Sequence, residues 1–403
     1  MKSMHTRALC AFCLAVPFGA LAQTAPVVPQ NSVTAAQAAY PSKDVNISYT
    51  ISDAVSTSDN VWIIVSLDGG NTWTVPASSF SGAEGLGVPV TSAPTAKSVT
   101  WHAGTDWNGN YTTTCRVRVI ACNNNMVLIP AGSYLRGNPP ALGDSDITDA
   151  PQYSVNVNAF LMDNNYVSGY LWTNVLGYAS SHGYTFDNAG SFNGQSYPVT
   201  SVNWYDAVKW CNARSQYEGV PPVYYTDAGF TTLYTSGGDV DAIYVKPGVN
   251  GYRLPTEAER EKAARGGLSG FRFPWGNTIS ESQANYYGCI SVCGFTYDLG
   301  PNGYSPAGFG GQGTSPVGSF PANGYSLYDM AGNVYAWCWD WYGSSYYASG
   351  QTNPQGPSNN SFGRVLRGGS WDGGAYYARC AYRSNYSPFY ALHGDGFRCV
   401  RGF

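Results

Sequence analysis

The sequence predicts an α+β domain with few regular elements over residues 126–403, preceded by a small all-β unit over 43–122. Strict apolar–polar alternation and tight-turn residues fill the first stretch. The second holds two legible capped helices, and the rest is short apolar runs broken by Gly, Asn and Tyr. With 48 Gly, 32 Tyr and only 11% charged residues, the chain is too aromatic for disorder and reads as a loop-rich, tyrosine-studded extracellular surface.

The first element is a leader. Lys2 and Arg7 precede an apolar run over 8–21, which ends in Ala20-Leu21-Ala22 before Gln23. A charged head, a short apolar core and a small-x-small end make a secretory signal peptide, cleaved near Ala22. The run is shorter than the roughly 20 apolar residues a membrane span needs. Cys10 and Cys13 lie upstream of the cleavage point, which argues against lipid attachment. The mature protein is expected to be secreted or to reside at the cell surface or in the periplasm. Residues 23–42, rich in Ala, Pro, Gln, Val and Ser, read as a linker.

Val45, Ile47, Tyr49 and Ile51 alternate with polar residues, and VWIIVSL ends at Leu67 before the turn Asp68-Gly69-Gly70-Asn71. Residues 99–101 and the run from Cys115 to Ala121 supply further strands. The strand spacing fits an immunoglobulin-like sandwich over 43–122, and no residue cluster in it suggests chemistry, so its role is that of a spacer. Asn123, Asn124 and Asn125 form the joint. Beyond it, Asn203 can cap a helix over 204–213, and Thr256 with Glu259 forms a capping box opening EAEREKAARGG. Glu257, Glu259 and Glu261 on that helix read as a solvated face.

The net charge of −4 and the lack of a Lys/Arg run argue against nucleic acid and anionic membrane as partners. Besides the leader pair, the cysteines are Cys115, Cys122, Cys211, Cys289, Cys293, Cys338, Cys380 and Cys399. An even set without a C-x-x-C pair in an exported chain reads as disulfides. Cys289 and Cys293 can close a small loop. Outside the leader, His102, His182 and His393 stand apart in sequence, little material for a metal site or a catalytic triad.

The most informative stretch is 364–403, in which RVLRGGSW, ARCAYR and GFRCV alternate with runs that follow no secondary-structure period. Those runs hold Asp372, Gly373, Gly374, Tyr376, Tyr377, Ser384, Asn385, Tyr386, Phe389, Tyr390, Leu392, His393 and Asp395, and with Trp371, which closes the word before the first of them, they are the candidate ligand-binding residues. Tyr with Ser, Gly and Asn is the composition of adaptable binding loops, because Tyr offers a large contact area with few rotatable bonds.

Further words occur in order before it: MVLIPAGSYLRGN at Met126, PVTSVNWYDAVKWCNA at Pro198, GYRLPTEAEREKAARGG at Gly251, FPWGN at Phe273 and GTSPVGSFPANGYSLYDMAGNVYAW at Gly313. With them, 126–403 resembles the formylglycine-generating enzyme (sulfatase-modifying factor) family, which implies a C-type-lectin-like fold. The family's enzymes bind copper through cysteines between the GGS word and the RCA-x-RS word. Here that interval, WDGGAYYAR, contains none. The resemblance therefore implies a domain without its copper site and without that activity, since thiolate is the soft ligand copper needs.

The same resemblance implies one calcium site at Asp329 and the Gly332 and Val334 carbonyls, weakened because Ala336 stands where the family has Glu. A second matches at Asn285 and Tyr286 but lacks its Asp partner in PAGFGGQG. It also implies a Cys211–Cys399 disulfide. The family partner of Cys380 falls on Ala264, leaving Cys338 as the chosen mate.

A second resemblance is to the variable proteins of diversity-generating retroelements, which place a mutable segment at the C-terminus of this fold. Adenine-directed rewriting turns an AAC codon into Tyr, Asp, Ser, Gly, His, Phe, Leu or Ala, the residues of the irregular runs. The expected function is non-catalytic binding of a protein or glycan outside the cell. An enzyme of the same family and an exported structural scaffold are the competing readings.

Overall fold

The computed structural model describes residues 26–402 except 55, 71–72, 76, 123–125, 238–242, 347–349 and 359–362. The signal peptide with its cleavage point, the start of the linker, Asn71 and the joint at Asn123–Asn125 lie outside the described residues.

The N-terminal unit is built from strands β1 (Thr34–Gln37), β2 (Val45–Ile51), β3 (Ser58–Ser66), β4 (Phe80–Gly82), β5 (Gly85–Pro89), β6 (Thr95–Trp101) and β7 (Arg116–Cys122). They form two antiparallel sheets, in the orders β1-β2-β6-β4 and β5-β3-β7. The alternation read in β2 puts Ile47, Tyr49 and Ile51 into one core with Val61, Ile63, Val65, Val99, Trp101, Val119 and Ala121.

The continuous apolar run in β3 has a different cause. Side chains pointing to its other face, Ile64 with Trp62 beside it, join Ile120, Cys122 and Trp73 in the core of the C-terminal domain. The β5-β3-β7 sheet is thus covered on both faces, the condition under which strands lose alternation.

In the C-terminal domain a central antiparallel sheet runs Tyr252–Arg253, Val400–Arg401, Phe160–Asp163, Met126–Ile129. A second sheet runs Ser384–Tyr386, Arg364–Arg367, Tyr335–Trp341, Asp395–Gly396, its last pair parallel with Tyr335 opposite Asp395. The expected helices form as Trp204–Tyr217, with the Asn203 side chain accepting from Asp206 N at 2.8 Å, and Glu257–Arg265. In the latter the capping box closes in both directions: Glu259 N donates to Thr256 Oγ1 at 3.2 Å and Thr256 N to Glu259 Oε2 at 2.8 Å.

A third helix, Gly169–Ser181, escaped the sequence reading. It buries Gly169, Trp172, Val175 and Ala179, a helical spacing, but Gly169, Thr173 and Gly177 depress its propensity. Trp172 stacks on Trp210 at 5.8 Å, and Phe397 meets both rings edge-on.

The acidic helix face is a correction. Glu257, Glu259 and Glu261 are 0%, 8% and 1% exposed. Glu257 is gripped by Arg383 (Nε to Oε1, 2.6 Å) and Arg136 (2.8 Å), Glu261 by Arg265 (2.8 Å) and Arg367, and Glu259 by Arg253 (2.7 Å). Burial alone would raise the Glu257 carboxyl, but Arg383, Arg136 and Arg367 hold it down at about 2. Charge on a helix reads as solvated until its partners, scattered from 136 to 383, are known.

The cysteines divide. Cys289 and Cys293 are bonded, as expected. Cys338 and Cys380 are free and buried, so their expected pairing is not formed. Cys211 and Cys399 are also unbonded, although their Sγ atoms stand 3.6 Å apart in the core.

Candidate binding face

The C-terminal segment leaves the buried strand Arg364–Arg367 through Gly368 and Gly369, both in the left-handed region with φ of 100° and 75°. A Cβ on Gly368 would stand 2.7 Å from the Arg260 guanidinium, so the turn needs glycine for conformation and for space.

From there the backbone is tied to the frame at short intervals. Trp371 N donates to Asn333 O (2.9 Å), Tyr287 N to Gly373 O (2.9 Å), Trp204 N to Pro388 O (3.1 Å), Ser201 N to Leu392 O (3.1 Å) and Tyr335 N to Gly394 O (2.8 Å). The Pro388 carbonyl thereby satisfies an otherwise orphan N–H in the first turn of the helix Trp204–Tyr217.

The side chains on this pinned backbone fall into three groups. Asp372, Tyr386, Phe389, Tyr390, Leu392 and His393 are exposed. Trp371, Tyr376, Tyr377, Ser384 and Asn385 are half-buried. Gly373, Gly374 and Asp395 are buried, which corrects the expectation that they lie at the surface. The glycines are pressed under the turn Ala375–Ala378, where a Cβ on Gly374 would come 2.7 Å from the Tyr376 ring. Asp395 is withdrawn because its short strand pairs with Tyr335–Trp341 in the second sheet.

Tyr376 and Tyr377 also differ from exposed anchors. Their rings lie 3.9 Å apart, with Tyr377 against Tyr382 at 5.0 Å and Tyr376 against Phe295 at 5.6 Å. Trp371 packs on His393 at 5.5 Å and on Tyr304 at 5.6 Å, and Tyr304 meets Tyr287 at 4.9 Å. Tyr287 and Tyr304 come from a two-stranded hairpin beside the Cys289–Cys293 disulfide and extend the face. Sequence reasoning missed them, since single tyrosines in a tyrosine-rich chain carry no signal. Phe389 rests on Tyr205 at 5.1 Å.

Polar groups thread the aromatics. His393 Nε2 is 3.1 Å from Asp372 Oδ2, and the Ser370 hydroxyl donates to Asp372 Oδ1. Burial first, and the Asp372 charge second, push the Asp395 carboxyl up to about 8.

The interval where the family's enzymes hold copper is this same stretch, and it contains no cysteine. The neighbouring Cys380 is 6% exposed, and burial pushes its thiol up to about 11, the opposite of a poised thiolate.

Several of the residues expected to hold calcium make hydrogen bonds within the protein. The Val334 carbonyl accepts the Tyr166 hydroxyl at 2.6 Å, the Asn285 carbonyl accepts from Asn333 N at 2.8 Å, and the Tyr286 hydroxyl donates to Asp298 at 2.7 Å. Asp329 keeps an unpartnered buried Oδ1, and burial raises its carboxyl to about 6. The cation beside it is Arg398, which donates to the Tyr328 carbonyl at 2.8 Å and the Asp329 carbonyl at 3.4 Å. Among the described residues, no three His, Cys, Asp or Glu side chains gather as metal ligands.

Few helices, many short sheets and this loop-built face are the architecture of formylglycine-generating-enzyme-like proteins. Residues 113–403 match the Sulfatase-modifying factor enzyme 1-like domain, and the chain belongs to that family. The match begins before β7, although β7 pairs with β3 in the N-terminal unit.

The formylglycine-generating enzyme of Mus musculus is 33% identical over 291 residues, 68% of this chain and 74% of that protein. Variable protein 1 of Treponema denticola superposes with a TM-score of 0.54 at 30% identity, over 70% of this chain and 95% of that one. The serine/threonine-protein kinase pkn1 of Chlamydia caviae is 44% identical over 155 residues, 38% of this chain, and the chain spans only 21% of the kinase's length.

Proposed function

We propose that this protein is an exported, non-catalytic binding protein whose C-terminal segment presents a rewritable receptor face on a formylglycine-generating-enzyme frame. One observation carries the reading: the backbone from Trp371 to Gly394 is tied to the frame while Tyr386, Phe389, Tyr390, Leu392 and His393 project outward. Fixed backbone with free aromatic side chains is how rigid paratopes work, with contact area gained at little ordering cost. Likeness to a protein named as variable supports it. The residues of the irregular runs from Asp372 onwards are all reachable by adenine rewriting of one AAC codon, which is the basis for proposing diversification by a retroelement. The N-terminal unit, read as an immunoglobulin-like spacer, mounts the frame through its double-sided sheet. The ligand is a protein or glycan outside the cell.

The test has two arms. A displayed random peptide library and a glycan array are screened against the full chain and against a Tyr386→Ala/Phe389→Ala/Tyr390→Ala variant. Wild-type binders are expected to be lost on the variant, and binders that persist undiminished would overturn the face. In the second arm a sulfatase-type cysteine peptide is incubated with the protein, copper and oxygen, with a Cys380→Ser control. Aldehyde product from the wild type alone would make the protein an enzyme.

A further inference from the structure

We propose that the face contains a subsite for a basic side chain of a protein ligand, an ammonium or guanidinium group received between the carboxylates of Asp372 and Asp395. The inference rests on the receptor reading above and narrows its ligand.

Two independent observations meet at this spot. The first is an exposed acid on the rim: the Asp372 side chain is 35% exposed, and among the described residues its ion-pair partner is His393, itself 68% exposed. The second is a buried acid beneath it. Asp395 is 1% exposed, and among the described residues its Oδ2 has no hydrogen-bond partner. The two are neighbours: Asp372 Oδ1 lies 3.4 Å from the point where a Cβ on Gly394, the residue before Asp395, would stand, and the Asp372 charge acts on the Asp395 carboxyl. A buried carboxylate oxygen left without a partner is costly, and at Glu257 and Asp163 the frame meets that cost with guanidinium groups.

Here the groups acting on Asp395 offer no such relief. They are the Asp372 carboxylate, Tyr335 from the adjacent strand and Tyr386 from the sheet edge, with His393 reaching only Asp372. A ligand cation supplies what the chain omits. Trp371, packed on His393 at 5.5 Å, and Tyr386, within electrostatic reach of both acids, put aromatic side chains in the same neighbourhood.

The arrangement also fixes a proton. Free Asp395, held up at about 8, keeps its proton at neutral pH. An arriving cation stabilises the ionised form, so binding displaces that proton, and affinity rises with pH until the carboxyl is ionised without help.

The probes are N-acetyl-arginine amide and N-acetyl-lysine amide, with the neutral N-acetyl-citrulline amide as control, titrated into the full chain by calorimetry in two buffers of different ionisation enthalpy. Both cations are expected to bind at least about tenfold more tightly than citrulline, with proton release and tighter binding at pH 8 than at pH 6. Asp372→Asn, at an exposed position, and Asp395→Asn should each lower the affinity about tenfold or more. Equal binding of citrulline, no proton release, or undiminished binding by the folded Asp372→Asn variant would overturn the subsite. If library peptides depend on Tyr386, Phe389 and Tyr390 but show no Lys or Arg enrichment, the face stands and the subsite falls. If the cations bind the Asp pair while no peptide or glycan depends on those aromatics, the subsite stands and the receptor reading falls.

Discussion

The molecule treats its buried acids in two opposite ways. On the helix Glu257–Arg265, Glu257, Glu259 and Glu261 are closed over by Arg136, Arg253, Arg265, Arg367 and Arg383. In the C-terminal segment, Asp395 is as deeply buried and has a second acid as its electrostatic neighbour. The first arrangement is complete without anything from outside. The second leaves a buried acid beside another acid, and under the proposed binding role that deficit serves recognition rather than folding.

The largest expected effect would break the helix side of this contrast. Glu257→Ala leaves Arg136 and Arg383 buried without their main counter-charge, and truncating one partner of such a network costs roughly 3–5 kcal/mol. Urea titration checks it. A loss below about 1 kcal/mol would mean the arginines find other acceptors and the network is not what holds the frame.

Next comes the core pair Cys211 and Cys399. With sulfurs 3.6 Å apart, oxidation is expected to join them and to close a loop spanning 188 positions, adding roughly 2–4 kcal/mol. Peptide mapping without reductant reads the bond directly, and finding either residue paired elsewhere would refute it.

The two acid sites should also carry opposite pH slopes. Glu257, depressed to about 2, contributes stability that is present above the ordinary glutamate range and lost as pH falls towards 2. Asp395, raised to about 8, does the reverse: its protonated folded form favours the native state at low pH, and that contribution is lost as pH rises from about 4 to 8. Asp395→Asn is therefore expected to flatten the decline in stability between pH 4 and 8, measured by denaturation across pH. An unchanged slope would remove Asp395 from the comparison.

The smallest effects lie on the rim. Tyr386→Ala and Tyr390→Ala should each cost about 0.5 kcal/mol or less, because their rings are largely free of the frame. Phe389→Ala should cost slightly more through its contact with Tyr205. Tyr377→Ala, which removes a ring packed against Tyr335, Tyr376 and Tyr382, is expected to cost about 1–3 kcal/mol. Thermal unfolding of the four variants orders them, and a rim variant melting below Tyr377→Ala would place that residue in the core.

Much of the frame was legible in the chain because the signals were local. Alternation located β2, and caps at Asn203 and Thr256 located two helices. The ordered words around RGGSW, RCAYR and GFRC carried the fold. What stayed hidden depended on partners distant in sequence. Nothing near Glu257 announces Arg383, nothing near Asp395 announces a strand pairing with Tyr335, and the helix Gly169–Ser181 is stabilised by burial of Trp172 rather than by its own propensity. On the candidate face, the irregular runs could not separate Tyr386, Phe389 and Tyr390, which are exposed, from Tyr376 and Tyr377, which pack.

The strand Val400–Arg401 lies in the middle of the central sheet, hydrogen-bonded to Phe160–Asp163 on one side and Tyr252–Arg253 on the other. In the chain it follows the whole segment 371–395 that forms the candidate face. A copy carrying a stop codon or a frameshift within those positions would lose an interior strand and the Cys399 core contact together, and would not fold. If the face is rewritten as proposed, assembly of the sheet would act as a proofreading step: substitutions on the face pass, and interrupted copies fail to fold.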